Sequence, residues 1–198
     1  MTLLDSSPAM LDKARRRLAL LPADITRRVS LVEGDGTDAA RAMNGRRFDA
    51  VLCHGVLGYL DDPEPMVDEL CRLLAPAGIL SIMTGNAATM AVRPALEQRW
   101  SDALASFDAD TEIGVLGVPS RADTVESLSG LLRARGVEPV DWYGVWLFAD
   151  WLEFGGAHVD TSDRERLAAM VDVEFEAARR DPYRQLSRVF HLVGRTAV

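Results

Sequence analysis

The sequence has 198 residues, of which 48% are hydrophobic and 26% are charged, a composition typical of one globular domain and not of a disordered chain. Its formal net charge of −8 disfavours broad electrostatic binding to nucleic acid or to an anionic membrane. Cys53 and Cys71 lie in apolar runs without a Cys or His at ligand spacing, so neither a disulfide nor a metal site is expected. With no apolar run of about 18 residues either, we expect a cytoplasmic protein.

The first half of the chain alternates short apolar strands with amphipathic helices. Strands are predicted at Leu3-Leu4, 29–32, 49–53 and 79–83, and the main helices at 8–20 and 63–74. Ser7 and Pro8 are typical N-cap and first-turn residues of a helix. Such an alternation predicts an α/β fold, with a parallel sheet covered by helices on both faces.

The pattern loosens between residues 86 and 120, which we interpret as a helix near 91–106 plus a loop inserted on the substrate side. A helix over 123–135, ended by Gly136, and a charged helix over 162–180 follow. The last predicted strand is 188–195. Because no full crossover helix separates the last two strands, they are expected to form an antiparallel pair at one edge.

Three strand ends carry polar residues: Asp5, the turn 34–38, and His54. Taken singly, an acid after a strand is often only a helix cap, and a lone histidine is more often a hydrogen-bonded core residue. Ligands of open α/β sheets bind at the carboxyl ends of the strands. The appearance of all three on consecutive strands therefore favours a ligand site there.

Four stretches in this order resemble the class I S-adenosylmethionine-dependent methyltransferases. They are Leu-Leu-Asp5-Ser-Ser-Pro-Ala-Met-Leu, Glu-Gly-Asp35-Gly-Thr-Asp38, Phe48-Asp-Ala-Val-Leu-Cys-His54-Gly, and Glu69-Leu-Cys-Arg-Leu-Leu-Ala-Pro-Ala77-Gly-Ile-Leu. The family usually has Pro-Gly-Gly in the last turn, from which Ala77 departs. The resemblance implies a Rossmann-like methyltransferase sheet, one domain over 1–198, and S-adenosylmethionine as cofactor.

The resemblance also implies roles for the polar strand ends. Asp5 would hold the ribose hydroxyls of the cofactor. Gly36, Thr37 and Asp38 would meet its adenine, with Asp38 accepting from the amino group. His54 would lie beside the methionine part and the methyl acceptor.

In this family the strand order is 3-2-1-4-5-7-6, and the present chain begins at the second strand. The usual first, central strand and its glycine-rich loop are therefore expected to be missing, which would leave a gap of roughly 10 Å and two unpaired edges. We interpret the chain as an N-terminally truncated domain. The alternatives are a rearranged sheet, a strand donated by a partner chain, as in a homo-oligomer, or an inactive fragment that serves as a binding or scaffold subunit.

The C-terminal half resembles the bacterial tRNA 5-carboxymethoxyuridine methyltransferase group. The matching motifs are Asn86-Ala87, Asp150-Trp-Leu, and Pro182-Tyr183-x-x-Leu-x-Arg188-x-x-His191. In that group the acceptor is a carboxylate, which is already a nucleophile, so no general base is expected. Arg188, supported by Tyr183, Arg184 and His191, would orient it.

Two points stay open on the sequence alone. The acceptor is either a tRNA or a small molecule with a nucleophilic oxygen, and Arg188 and His191 are alternatively just exposed positions on an edge strand. The aromatic cluster over 142–151 is interpreted first as core, and otherwise as a surface that stacks bases or lines an apolar pocket.

Overall fold

The computed structural model describes residues 1–114, 117–157 and 160–197. The strands are β1 (Thr2–Asp5), β2 (Ser30–Glu33), β3 (Phe48–His54), β4 (Leu74–Gly85), β5 (Thr111–Ile113), β6 (Pro119–Arg121), β7 (Val137–Val145) and β8 (Val189–Thr196). The helices are α1 (Pro8–Leu18), α2 (Ala23–Thr26), α3 (Ala39–Ala42), α4 (Glu64–Arg72), α5 (Val92–Leu96), α6 (Trp100–Ala105), α7 (Val125–Arg133), α8 (Phe148–Phe154) and α9 (Arg164–Ala177). Short 3₁₀ turns include Gly36–Asp38, Leu57–Tyr59 and Tyr183–Leu186.

The strands form two parallel pairs and an antiparallel edge. β1 pairs with β2 in parallel, and β3 pairs with β4 in parallel. The second sheet has the order β3-β4-β8-β7, with β8 antiparallel to both of its neighbours, as predicted for the edge. Among the described residues these two sheets are not hydrogen-bonded to each other, and β5 and β6 form a separate hairpin.

One core joins the two sheets. Leu80 and Ile82 of β4, and Phe190 and Leu192 of β8, lie on the sheet face that α4 and α7 cover. Leu4 of β1 and Val32 of β2 pack against the same cluster. Each fully buried leucine contributes about 1.5–3 kcal/mol. Cys53 belongs to this core, and burial raises the pKa of its thiol to about 11.

The opposite face of the four-stranded sheet, here called the open face, is defined by Leu52, Ile79 and Ser81. Leu52 is 63% exposed, and the other two are half-buried. Helices on both faces were predicted, so for the described residues of this sheet that prediction is wrong. The helices that follow β7 in the chain, α8 and α9, pack against each other, and α8 packs against α5.

The predicted helix over 91–106 is broken into α5 and α6. Gln98 has a φ of 59°, in the left-handed region, which ends a right-handed helix. The N–H of Arg99 donates to the carbonyl of Pro94 at 2.8 Å, and the N–H of Gln98 donates to that of Ala95 at 3.0 Å. This Schellman closure turns the chain so that α5 alone faces the carboxyl ends of the sheet strands. No helix among the described residues is both long and apolar enough to cross a membrane.

Candidate active site at the carboxyl ends of β3 and β4

A cavity of about 320 Å³ opens where β3 and β4 end. It is lined by His54 at the end of β3, by Thr84 near the end of β4, and by Asn86 directly after that strand. The hairpin β5–β6, helix α5 and the residues just before β8 form its walls. This is the position at which open α/β sheets bind ligands, and the volume suits a small acceptor or one end of a larger one.

Three arginines from three separate elements line this cavity, against two carboxylates. They are Arg93 of α5, Arg121 of β6 and Arg188 before β8, and the acids are Glu112 and Asp150. The arginines outnumber the carboxylates by one, and a local excess of positive charge attracts anions. The lining therefore favours an anionic ligand.

Arg188 is held in place on two sides. Its Nη1 lies 3.3 Å from Oδ1 of Asp150, and its Nη2 lies 3.7 Å from Oε1 of Glu112, beyond hydrogen-bond length. The guanidinium lies over the ring of Phe154 at 5.1 Å. Burial raises the pKa of the Asp150 carboxyl, and Arg188 opposes that rise. A guanidinium carries more N–H donors than these contacts use, so Arg188 can still bind a carboxylate through its planar fork.

The other two arginines are also oriented by acids and keep unused donors. Nη1 of Arg121 donates to Oδ1 of the buried Asp123 at 2.6 Å, and Nε of Arg93 donates to Glu97 at 3.1 Å. Nε of Arg121 and Nη1 of Arg93 are buried and have no hydrogen-bond partner among the described residues. Buried unpaired donors are costly, which is typical of a site that a polar ligand completes.

Asn86 fixes the segment that carries Arg188. Its side chain is buried, and its Nδ2 donates to the carbonyls of Gln185 at 3.1 Å and of Ser187 at 2.9 Å. Its own backbone N–H donates to the carbonyl of Arg188 at 2.9 Å. The end of β4 thereby sets the position of the guanidinium, which the motif Asn86-Ala87 did not reveal by itself.

Asp5, predicted to bind the ribose, lies at the carboxyl end of β1 and is half-buried. One carboxylate oxygen accepts the N–H of Ser7 at 2.8 Å. Ser7 in turn caps α1 by accepting from the N–H of Met10. A partly exposed carboxylate held by one backbone N–H keeps acceptor capacity for a pair of hydroxyl groups, so the residue fits a ribose.

The turn predicted to meet the adenine is the 3₁₀ turn Gly36–Asp38. Asp35 caps it by accepting from both the N–H and the hydroxyl of Thr37 at 2.8 Å, and the Asp38 carboxylate pairs with Arg41. A Cβ on Gly36 would lie 2.3 Å from Cε of Met66, so this glycine lets the turn pack on α4. The turn and Asp5 both follow parallel strands, while the cavity above lies beyond β3 and β4.

His54 and His191 both hydrogen-bond Ser81 across the open face. Nε2 of His54 lies 2.8 Å and Nε2 of His191 lies 2.7 Å from Oγ of Ser81, and the ring of Tyr143 lies 5.9 Å from that of His191. Burial lowers the pKa of both imidazoles, and His54 lowers that of His191 further. His54 also reaches the cavity lining, whereas His191 is not part of it.

The other predicted positioning residues lie outside the cavity. Tyr183 lies against Phe148, with ring centroids 6.2 Å apart, in a second groove beside α9. Arg184 lies over the ring of Trp142 at 4.3 Å and pairs with Asp181. Of the four residues predicted to position the acceptor carboxylate, only Arg188 lines the cavity, where it joins His54.

Sequence reasoning missed Arg93 and Arg121. Arg93 lies in the segment 86–120 interpreted as a substrate-side insertion and Arg121 directly follows it, but no local pattern marks either residue. The described residues contain no group of three or more His, Cys, Asp or Glu side chains that could hold a metal ion.

Comparisons with known proteins agree on the class of protein. A family model described as a methyltransferase domain matches residues 1–80. The chain is 24% identical over 193 residues to a tRNA 5-carboxymethoxyuridine methyltransferase of Escherichia coli, covering 98% of this chain and 70% of the relative. It is 33% identical over 82 residues to a chloroplastic 2-methyl-6-phytyl-1,4-hydroquinone methyltransferase of Oryza sativa, covering 41% of this chain and 22% of that protein.

Solved structures show the same fold at low sequence identity. The CcbJ methyltransferase of Streptomyces caelestis matches with a TM-score of 0.59 and 17% identity, covering 100% of this chain and 74% of that one. An O-methyltransferase family protein of Burkholderia thailandensis matches with a TM-score of 0.55 and 16% identity. That match covers 99% of this chain but 43% of the Burkholderia chain, so the present chain spans less than half of that protein.

Proposed function

Because the chain belongs to the class I S-adenosylmethionine-dependent methyltransferases, we propose that it methylates the carboxylate of an acceptor bound in the cavity beyond β3 and β4. The observation that carries the proposal is the convergence of Arg93, Arg121 and Arg188 on that cavity. A carboxylate fits both their charge and their planar donor geometry.

S-adenosylmethionine supplies an electrophilic methyl group on a sulfonium. Among the residues of this chain, Asp5 would hold its ribose, and Asp38 and His54 would lie on the same side of the fold. The role of Arg188 is to fix one orientation of the acceptor carboxylate, with Asp150 and Glu112 holding the guanidinium in place. Positioning of this kind can lower the barrier of a reaction between two bound groups by about 7–11 kcal/mol.

A carboxylate acceptor needs no general base, because its oxygen carries a lone pair and no proton at neutral pH. His54 and His191 therefore need not take part in proton transfer. The lowered pKa of both imidazoles keeps them uncharged at neutral pH, so they add no positive charge that would compete with the arginines for the anion.

The finer proposal is that the acceptor is the carboxymethoxy group of a wobble uridine in tRNA. It is supported by the 24% identity to the Escherichia coli tRNA enzyme along nearly the whole chain and by the position of Arg188. A small-molecule carboxylic acid is the second candidate. The net charge of −8 favours it, because an anionic surface repels a polynucleotide.

Methyl transfer from labelled S-adenosylmethionine tests both candidates in one assay. The acceptors compared are total tRNA that lacks the methyl ester and a panel of small carboxylic acids similar in size to a carboxymethoxy-substituted uracil. A methyl ester releases methanol on mild alkaline treatment, whereas a methyl group on carbon, nitrogen or an ether oxygen stays bound. Alkali-stable product alone would contradict the carboxylate proposal, whichever acceptor was methylated.

We also propose that a strand outside these 198 residues belongs between β1 and β3. Support comes from the two separate sheets, from the parallel partners that β1 and β3 each have on one side, and from the exposure of Leu52 on β3. The alternative interpretation is that the 198 residues, without this strand, are inactive and serve as a binding or scaffold subunit. The turn after such a strand would complete the methionine end of the cofactor site.

Calorimetric titration with S-adenosylmethionine tests whether a further strand completes the cofactor site. A chain extended upstream by a strand and a glycine-rich turn is expected to bind the cofactor much more tightly than the 198 residues alone. Equal affinity of the two forms would contradict the proposal of a central strand. It would leave the carboxylate proposal to be judged by the methylation assay.

A further inference from the structure

Trp146 is displayed at the cavity by a backbone conformation that bulky residues rarely adopt. Its φ is 60°, in the left-handed region, where a Cβ atom crowds the backbone. The side chain is 53% exposed and lines the cavity. Since about half of the residue is exposed, burial of the indole in a core does not account for this conformation.

The turn is fixed by contacts that do not involve the indole. The neighbouring Leu147 is buried at 1% exposure, and its N–H donates to Oε2 of Glu174 at 3.2 Å. The N–H of Ala149 donates to Oε1 of the same carboxylate at 2.6 Å. Unfavourable conformations that the surrounding structure enforces are concentrated at ligand sites.

The same turn is joined directly to the arginine that faces the acceptor. The carbonyl of Trp146 accepts the backbone N–H of Arg188 at 3.2 Å, so the two residues sit side by side on the cavity wall. A second exposed aromatic residue, Tyr59, lines the same cavity from the turn after β3 and is 56% exposed. Aromatic faces beside a cation suit a ligand that is planar at one end and anionic at the other.

We propose that the Trp146 indole stacks on the planar ring of the acceptor, and that this contact selects ring-bearing carboxylic acids over aliphatic ones. The inference rests on the proposed function for the carboxylate end and adds the recognition of the ring. Base–aromatic stacking depends on the ring face and not on its hydrogen-bond pattern. Trp146 is thus a specificity-determining residue, while Arg188 supplies the charge contact.

Equilibrium binding in the presence of S-adenosylhomocysteine, which has no methyl group to transfer, tests this with three probes: 5-carboxymethoxyuridine, methoxyacetate and uridine. The variant Trp146→Gly is expected to weaken binding of 5-carboxymethoxyuridine about 5- to 100-fold and binding of methoxyacetate less than about twofold. Trp146→Phe keeps a ring and is expected to stay within about threefold of the unchanged chain. Because glycine adopts positive φ freely, Trp146→Gly is also expected to melt at the same or a higher temperature, which excludes misfolding as the cause.

Three outcomes would overturn the proposal. If Trp146→Gly weakened binding of 5-carboxymethoxyuridine and methoxyacetate equally, the indole would shape the cavity without contacting the ring. If binding of 5-carboxymethoxyuridine were unchanged, the indole would make no contact with it. Absence of nucleoside binding to the unchanged chain would also overturn it. A fourth outcome separates the two proposals. If uridine binds as tightly as 5-carboxymethoxyuridine, and Trp146→Gly weakens both while Trp146→Phe weakens neither, recognition of the ring is supported. The proposal that the cavity binds a carboxylate is then contradicted.

Discussion

Replacing Asn86 by alanine removes the side chain that ties the end of β4 to the segment before Arg188. The Gln185 carbonyl then loses its bond from Nδ2, and the Ala88 N–H loses its bond to Oδ1. The Ser187 carbonyl also loses its bond from Nδ2, but it still accepts a hydrogen bond from the Thr89 hydroxyl at 3.3 Å. At about 1 kcal/mol per lost bond, and about 1–3 kcal/mol for a buried group left unpaired, we expect a loss of roughly 2–4 kcal/mol of stability. For a chain of this size that is a fall of roughly 5–15 °C in melting temperature.

Thermal unfolding followed by circular dichroism measures this change, with Gln185→Ala as the matched control. Gln185 lies in the same segment and is exposed, and it contributes its backbone carbonyl to Asn86. Its side-chain truncation is therefore expected to change stability by less than about 0.5 kcal/mol. If Asn86→Ala melted within a degree of the unchanged chain, the argument that Asn86 anchors this segment would be refuted.

Two further predictions concern close packing and pH. Gly144→Ala places a Cβ 2.3 Å from Oγ of Ser187 and 2.8 Å from backbone atoms of Arg184, so it is expected to lower the free energy of unfolding by about 1–3 kcal/mol or more. Gly130 of α7 has open space around the position of a Cβ, so Gly130→Ala is expected to raise the free energy of unfolding by about 0.5–1 kcal/mol. Urea denaturation of both variants checks the pair, and a Gly144→Ala chain as stable as Gly130→Ala would contradict it. Burial lowers the pKa of His54 and His191 in the folded state. The unfolded chain therefore binds more protons than the folded chain as the pH drops through about 6.5, the ordinary pKa of histidine. The free energy of unfolding is expected to fall over the same range. A variant with glutamine at both positions should lose part of this slope between pH 7.5 and pH 5.5, and an unchanged slope would contradict the reasoning.

Local signals in the sequence were sufficient for most of the secondary structure. Ser7 caps α1 and Pro8 opens it, as predicted, and the helix ends at Leu18, close to the expected residue. The antiparallel pairing of β7 and β8 was predicted correctly, although α8 and α9 lie between these two strands in the chain. These features depend on neighbouring residues and on apolar spacing, which the sequence displays directly.

Features that depend on distant contacts could not be predicted. Gln98 breaks the helix over 91–106 although no glycine or proline marks the position, because the two helices pack against each other across the turn. Arg93 and Arg121 meet Arg188 only after three separate elements fold together. Trp146 was interpreted as core, yet its exposure follows from the contacts of Leu147 and Glu174 and not from its own hydrophobicity.

The central claim is that Arg188 binds the acceptor carboxylate, and steady-state methylation by Arg188→Ala tests it most directly. Arg195→Ala is the matched control, because Arg195 is an exposed arginine near the far end of β8, the strand that Arg188 directly precedes. Loss of a bidentate charge-assisted contact is expected to lower kcat/KM for the carboxylate acceptor about 10²- to 10³-fold, with the Kd for S-adenosylmethionine unchanged. Arg195→Ala is expected to match the unchanged chain. Equal kcat/KM for Arg188→Ala and Arg195→Ala would contradict the claim.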